Sequence, residues 1–192
     1  MEPVDELVFT ILTQHTSDVN GKRAFERLKA RFPHWEEVLD APLEAIEEAI
    51  RSAGLSRQKA PRIQQALRTI LERRGRLDLA FLQEMPLAEA KAWLRSLPGV
   101  GPKTSAIVLC FALGLPAMPV DTHVHRVARR LGLLGPRDNA DKAHDLLEGL
   151  VEPEEVYPFH VYLITHGRRV CKARGPRCGE CVLRDICPSR QV

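Results

Sequence analysis

Aromatic residues make up only 5% of this 192-residue chain, and no segment alternates apolar and polar residues as a half-buried strand does. Sandwiches and β-barrels need many short runs rich in aromatic and β-branched residues, so that scarcity argues against them. Long apolar runs are missing as well. The longest, Ile107 to Val120, is broken by Pro116 and Pro119 and is too short to span a bilayer. No charged-then-apolar leader opens the chain. These absences predict a soluble, cytoplasmic protein with no membrane partner. There is no internal repeat and no low-complexity tract. With 44% hydrophobic and 28% charged residues, disordered and collagen-like readings are also excluded. A chain of this length can bury a core without metal or disulfide staples.

What is abundant is Leu, Ala, Glu and Arg, which favour helix. Apolar stripes at helical spacing recur along the chain. They run through Leu7, Val8, Ile11 and Leu12; Phe25, Leu28 and Phe32; Leu43, Ile46 and Ile50; and Ile63, Ala66, Leu67, Ile70 and Leu71. Asp78 is placed to cap a short helix. Leu87, Ala90, Leu94 and Leu97 form the next stripe, and a helix is expected from Pro102 to about Leu113. Val124, Val127, Ala128 and Leu131 follow from a start near Asp121. Then come Leu146, Leu147 and Leu150, and finally Val156, Phe159, Tyr162 and Leu163. The pattern predicts an all-α protein of many short helices. The proline-rich stretch Leu115–Pro119 is the natural boundary between domains.

The net charge of +3 hides an asymmetry. Residues 1–50 carry net −6 and residues 51–100 net +6. Basic side chains concentrate in Arg51–Arg76 and in Arg168, Arg169, Lys172, Arg174 and Arg177. A polyanion would meet those segments, although two solvated helix faces would look the same in sequence.

Four of the five cysteines fall in the last 22 residues. Cys171, Cys178, Cys181 and Cys187 have the spacing C-x6-C-x2-C-x5-C. In a cytosolic protein such a cluster suits a metal better than disulfides. Tetrahedral zinc and an iron–sulfur cluster both accept four thiolates. Zinc sites usually pair two short C-x-x-C units, and only one is present, so the spacing leans toward iron–sulfur. Cys110, among Val108, Leu109 and Phe111, reads as a small core residue.

Residues 97–104, LPGVGPKT, lie between two helical stripes. Gly99 and Gly101 permit a tight turn, and Pro102 suits the first helical position. The N–H groups that follow can serve an anion. A nucleotide P-loop is ruled out, because Pro102 precedes Lys103 and the segment follows a helix rather than a strand.

Taken together, these motifs resemble the endonuclease III branch of the helix-hairpin-helix DNA glycosylases. The hairpin resembles the family's LPGVG-x-K-T. Residues 119–126, PVDTHVHR, resemble its VDTH-x-x-R, with Asp121 at the family distance from Lys103. The terminal cysteines resemble its [4Fe-4S] motif. Weaker likenesses lie in Gln14–Asn20 and in Gly54-Leu55-x-x-x-Lys59-Ala60. The similarity covers almost the whole chain.

The resemblance implies two helical lobes. Residues 1–115 would form a six-helix barrel carrying the helix-hairpin-helix motif near 90–113. Residues 116–192 would form a helical domain ending in the cluster loop, 171–187. The family's extra N-terminal helix, which packs on the cluster lobe, is expected to be missing or very short, since the first stripe already starts at Leu7.

The resemblance also implies an activity. The chain would be a bifunctional glycosylase and abasic-site lyase of base excision repair, acting on oxidised pyrimidines in duplex DNA. Lys103 would be the nucleophile and Asp121 its partner carboxylate, though Asp121 is also a good helix cap. The amine must be neutral to attack, through burial or nearby positive dipole ends. Gln14, with His15 sharing the role, and Leu55 would fill the hole left by a flipped base. Leu55 could equally be a core leucine. Gly99 and Gly101 would hold a phosphate, and His123 would lie near the pocket. Arg168, Lys172 and Arg174 would contact the backbone. The cofactor would be a [4Fe-4S] cluster on Cys171, Cys178, Cys181 and Cys187, with a structural role. The partner would be duplex DNA with damaged bases or abasic sites, bound by a monomer in a bacterial-type, nucleoid-associated setting. The alternatives are a monofunctional mismatch glycosylase (adenine or thymine/uracil) and a non-catalytic, metal-stabilised DNA-binding module. The adenine branch uses a glutamate near the first helix, which Phe9–Gln14 does not offer. It also has an extra C-terminal domain, for which a chain ending five residues after Cys187 leaves no room.

Overall fold

The computed structural model describes residues 1–190, and all regular structure among them is helical. Ten α-helices run in order: α1 Pro3–Thr13, α2 Asp18–Arg31, α3 Trp35–Asp40, α4 Leu43–Ala49, α5 Ser56–Arg74, α6 Leu87–Arg95, α7 Pro102–Ile107, α8 Thr122–Arg130, α9 Ala140–Glu148 and α10 Val156–Arg169. No described helix is long and apolar enough to cross a membrane. The chain divides into two compact units, Met1–Gly114 and the part from Leu115 onward.

The first unit is built on apolar faces. Pro3 opens α1 and acidic Asp5 and Glu6 occupy its first turn, a favourable start for the helix dipole. Leu7, Ile11 and Leu12 are fully buried, as are Leu28, Ile46, Ile63, Leu67 and Ile70. Helix α3 carries no stripe long enough to read in sequence. It is held instead by Gln64 of α5, whose amide donates to Val38 O, Leu39 O and Ala41 O at 3.0, 3.2 and 2.9 Å. Helix α5 starts at Ser56 and contains Pro61, well before its apolar stripe begins. The element after Asp78 is a 3-10 turn, Ala80–Glu84, with Asp78 Oδ1 accepting from Ala80 N at 2.8 Å.

The helix expected over 102–113 changes pitch midway. Helix α7 gives way to a π-helical turn at Val108–Ala112. The π-helical turn carries Val108, Leu109 and Cys110 into the core.

The second unit has a smaller core: Met118, Val120, Val124, Val127, Ala128, Leu134, Ala143, Leu147, Val156 and Leu163. Of the α9 stripe only Leu147 is inside; Leu146 and Leu150 are exposed, as is Tyr162 of α10. Those three correct the sequence pattern, because two short helices leave part of each apolar face without a partner. Helices α8 and α10 pack closely at Gly167, where an added Cβ would lie 3.0 Å from His123 Cβ and 3.1 Å from Val127 Cγ2. The segment entering α8 is pinned by side chains. His144 and His160 donate from Nδ1 to Met118 O and Pro119 O at 2.7 and 2.8 Å, and Glu148 accepts from Met118 N at 3.0 Å. Beyond α10 the described chain is loop, apart from a 3-10 turn at Cys178–Glu180.

Candidate nucleic-acid interface and cluster site

In the first unit, α6 ends at Arg95 with Ser96 as its C-cap, and the chain turns through Leu97–Gly101 into α7. Leu97 and Val100 are buried and anchor the turn from both sides of exposed Gly99. Gly99 has φ +76°, a left-handed conformation that glycine adopts without strain. Gly101 is extended, and a Cβ there would meet no protein atom. Neither conformation nor packing therefore demands glycine at 101. Lys103 is the second residue of α7 and is exposed. The burial expected around a reacting amine is therefore not found here.

Gln14, just past α1, joins this hairpin. Its amide nitrogen donates to Gly99 O at 3.2 Å and Thr104 Oγ1 at 3.1 Å. Both amide protons are thereby used, and the side chain braces the hairpin. The next residue, His15, is exposed with φ +53°, and Leu55 has φ +50°. These two are the only non-glycine residues with positive φ among those described. Such conformations carry a strain cost in ordinary residues. Leu55 is 49% exposed, which decides against its being a core leucine.

The basic segment Arg51–Arg76 does not act as one patch. Arg73 and Arg74 stack over Trp93 and Phe81, Arg76 pairs with Asp78 at 2.9 Å, and Arg68 donates to Leu39 O. Lys59 is buried, 1% exposed. Arg51, Arg57 and Arg62 stay exposed at the Leu55 end, with the Arg62 stem against Gly99.

In the second unit, Asp121 is the N-cap of α8. Its Oδ1 accepts from His123 N at 2.8 Å and Val124 N at 2.7 Å, so the cap fixes the carboxylate through one oxygen. Half-buried His123 has Nδ1 at 3.1 Å from Arg126 Nη2. Arg126 can only donate, so His123 Nδ1 accepts and its ring proton, when neutral, sits on Nε2. Arg126 also donates to Gly167 O at 2.8 Å and Cys171 O at 3.1 Å, tying α8 to the start of the cysteine loop.

The four cysteines line one cavity, with Val127, Leu131 and Val170 as its apolar wall. They form no disulfides. Arg130 reaches them from α8, donating from Nη1 to Cys171 Sγ at 3.3 Å and to Lys172 O at 2.7 Å, and from Nη2 to Ala173 O at 3.2 Å. His166 Nε2 is 3.5 Å from Cys181 Sγ, and burial pushes this histidine below its ordinary pKa. Among the described residues no group of three or more His, Cys, Asp or Glu is arranged around a single ion. Four thiols about one cavity, with the Arg130 guanidinium donating to one sulfur, have the chemistry of an iron–sulfur site. Arg168, Lys172 and Arg174 are exposed around this loop, and Arg177 pairs with Glu180 at 3.6 Å. Sequence reasoning missed Arg130, His166 and the bracing role of Gln14. The only trace of the first in sequence is an arginine one helical turn after Arg126.

Residues 8–153 match the family model of the HhH-GPD superfamily of base excision DNA repair proteins, and residues 171–187 match the iron–sulfur binding domain of endonuclease III. Endonuclease III of Synechocystis is 39% identical over 99% of this chain and 83% of its own length. A solved non-covalent complex of endonuclease III with DNA superposes with a TM-score of 0.85 at 33% identity, covering 98% of this chain and 84% of the other. A trapped covalent intermediate of endonuclease III with DNA gives 0.84 at 32%, with the same coverage. This chain belongs to the HhH-GPD superfamily of base excision DNA repair proteins, as a DNA glycosylase of the endonuclease III branch whose residues 171–187 match that branch's iron–sulfur binding domain, the seat of a [4Fe-4S] cluster.

Proposed function

We propose that this glycosylase is bifunctional, excising oxidised pyrimidines from duplex DNA and then cutting the strand. The damaged nucleotide is turned out of the stack. Lys103 Nζ attacks the sugar C1′, and the C1′–N bond breaks with its electrons leaving on the base, which takes up a proton. Asp121, or water beside it, accepts the proton that the amine loses. The sugar ring opens to an iminium between C1′ and Nζ. Loss of a C2′ proton then expels the 3′ phosphate by β-elimination, and hydrolysis of the iminium frees Lys103.

The observation that carries this reading is Lys103 itself, exposed on the second residue of a helix whose approach is braced by Gln14. Asp121 supports it, since its cap bonds use Oδ1 alone and leave Oδ2 for the reacting centre. Gly101 supports the phosphate role, because the open space at its Cα is what a backbone phosphate would need. His15 and Leu55, exposed on two strained turns, are suited to enter the stack in place of the extruded base. His123 would line the pocket, and Arg168, Lys172 and Arg174 would add sequence-independent contacts. When bound, the cluster holds the C-terminal loop and its basic side chains in place. The substrate is duplex DNA with damaged bases or abasic sites, and the protein acts as a monomer in the cytoplasm.

Borohydride trapping on a duplex with one thymine glycol tests the proposal. Wild type should give a covalent protein–DNA adduct and Lys103→Ala none. If wild type also gives none, on this lesion and on an abasic site, the lysine mechanism is wrong. A monofunctional mismatch glycosylase, or a DNA-binding module, then takes its place.

A further inference from the structure

Lys59 is the only lysine of the segment Arg51–Arg76, and the chemistry above leaves it unused. It is also among the largest fully buried side chains. Burying an ammonium is costly unless it is well hydrogen-bonded. Lys59 Nζ donates to Leu12 O and to Ala53 O, both at 2.8 Å. These acceptors come from separate segments. Leu12 lies in the last turn of α1, whose final carbonyls have no partner within the helix. There Gln14 N serves Ile11 O, Thr16 N serves Thr13 O, and Lys59 serves Leu12 O. Ala53 closes the 3-10 turn Arg51–Ala53 before Gly54 and Leu55. His15 stands three residues beyond the first acceptor and Leu55 two beyond the second.

We infer that Lys59 is a positioning residue for base extrusion: its ammonium clamps the carbonyls of Leu12 and Ala53 and so fixes the two left-handed turns, at His15 and Leu55, relative to each other. The inference rests on the reading of those two tips as the groups that enter the stack. The clamp also reaches the hairpin, since the segment held at Leu12 carries Gln14 and its bonds to Gly99 O and Thr104 Oγ1. Burial lowers the Lys59 amine to about 8. It is therefore still mostly protonated at neutral pH, and the negative end of the α1 dipole favours that form. Two strained turns need outside restraint to stay in place, and a buried cation with two backbone partners supplies it.

The test uses a duplex with 2-aminopurine opposite a tetrahydrofuran abasic analogue, which brightens when the unpaired base is forced from its stack. The comparison is wild type against Lys59→Met at a temperature where both are folded by circular dichroism. A positioning role predicts that Lys59→Met loses most of the fluorescence change and about tenfold in affinity for this duplex, as small misplacements of functional groups cost large factors. Its affinity for an undamaged duplex, made by phosphate contacts, should hold within about twofold. A lower melting temperature with unchanged fluorescence and affinity would mean a purely structural lysine and would overturn the inference. Leu55→Ala separates the wedge from the clamp. If it changes nothing, the reading of Leu55 as a wedge fails, and the inference with it. If it abolishes the signal while Lys59→Met does not, only the clamp fails. Should Lys59→Met not fold, Lys59→Gln, which keeps an amide donor, is measured instead. A partial loss of the fluorescence change supports the clamp, and none overturns it.

Discussion

The first unit is held by apolar burial, and the second by polar ties to backbone and by its cysteines. In Met1–Gly114 seven helices share a core of leucines and isoleucines that are wholly out of water. Each such side chain contributes roughly 1.5–3 kcal/mol. From Leu115 onward the core is ten residues, two of them alanine, while Tyr162, Val182 and Ile186 stay exposed. The order of this part comes from elsewhere. Arg126 and Arg130 donate to the carbonyls of Gly167, Cys171, Lys172 and Ala173, and His144 and His160 hold Met118 and Pro119. A unit of this size is near the limit, roughly 70–80 residues, below which a hydrophobic core alone rarely suffices. A cluster held by the four cysteines would staple that loop upon itself, whereas the first unit rests on its buried core alone.

That contrast can be broken most forcefully at a cysteine. Cys178→Ser should abolish the visible absorbance of the cluster and leave the loop and the C-terminal end of α10 open to hydrogen exchange, with α1–α7 as protected as before. Unchanged protection around the loop would refute the idea that the second unit depends on its cluster. Next in size is a pair of core substitutions, one in each unit. Leu67→Ala, in a fully buried position, should cost about 3 kcal/mol in denaturant titration through the cavity it leaves, with cluster absorbance intact. Gly167→Ala, which puts a methyl at 3.0 Å from His123 Cβ and 3.1 Å from Val127 Cγ2, should cost about 2 kcal/mol by overpacking and also speed cluster loss. Equal cluster lability in both variants would erase the distinction. The smallest effect on stability is expected at Asp121. Asn caps helices about as well as Asp, so Asp121→Asn should change stability by less than about 0.5 kcal/mol. Borohydride trapping should nevertheless fall steeply. If trapping holds while stability drops, Asp121 is a cap and nothing more.

Much of the fold could be read from periodicity. The stripes of α1, α5 and α6 match buried faces, because an amphipathic helix turns its apolar side toward the core. Reading failed where a helix was too short to show a period, as at α3, or where the face had no partner to bury it, as at Leu146, Leu150 and Tyr162. It also failed where pitch changed, at Val108–Ala112. The charge count was misleading at Lys59, since composition cannot tell a solvated lysine from one buried against two carbonyls.

The residue order by itself determined the all-helical class, the hairpin between two helices, the Asp121 cap and the four-cysteine loop. These are local features, set by spacing within a few turns of chain. Only tertiary structure decided which residues serve them. Gln14 meets Gly99 and Thr104 across 85 and 90 residues, Lys59 meets Leu12 across 47, and Arg130 meets the Cys171 loop across about 40. These contacts serve backbone carbonyls, a hydroxyl and a sulfur that local chain geometry leaves open to a distant donor. That need arises at a place in space, and sequence spacing does not record which distant donor will fill it.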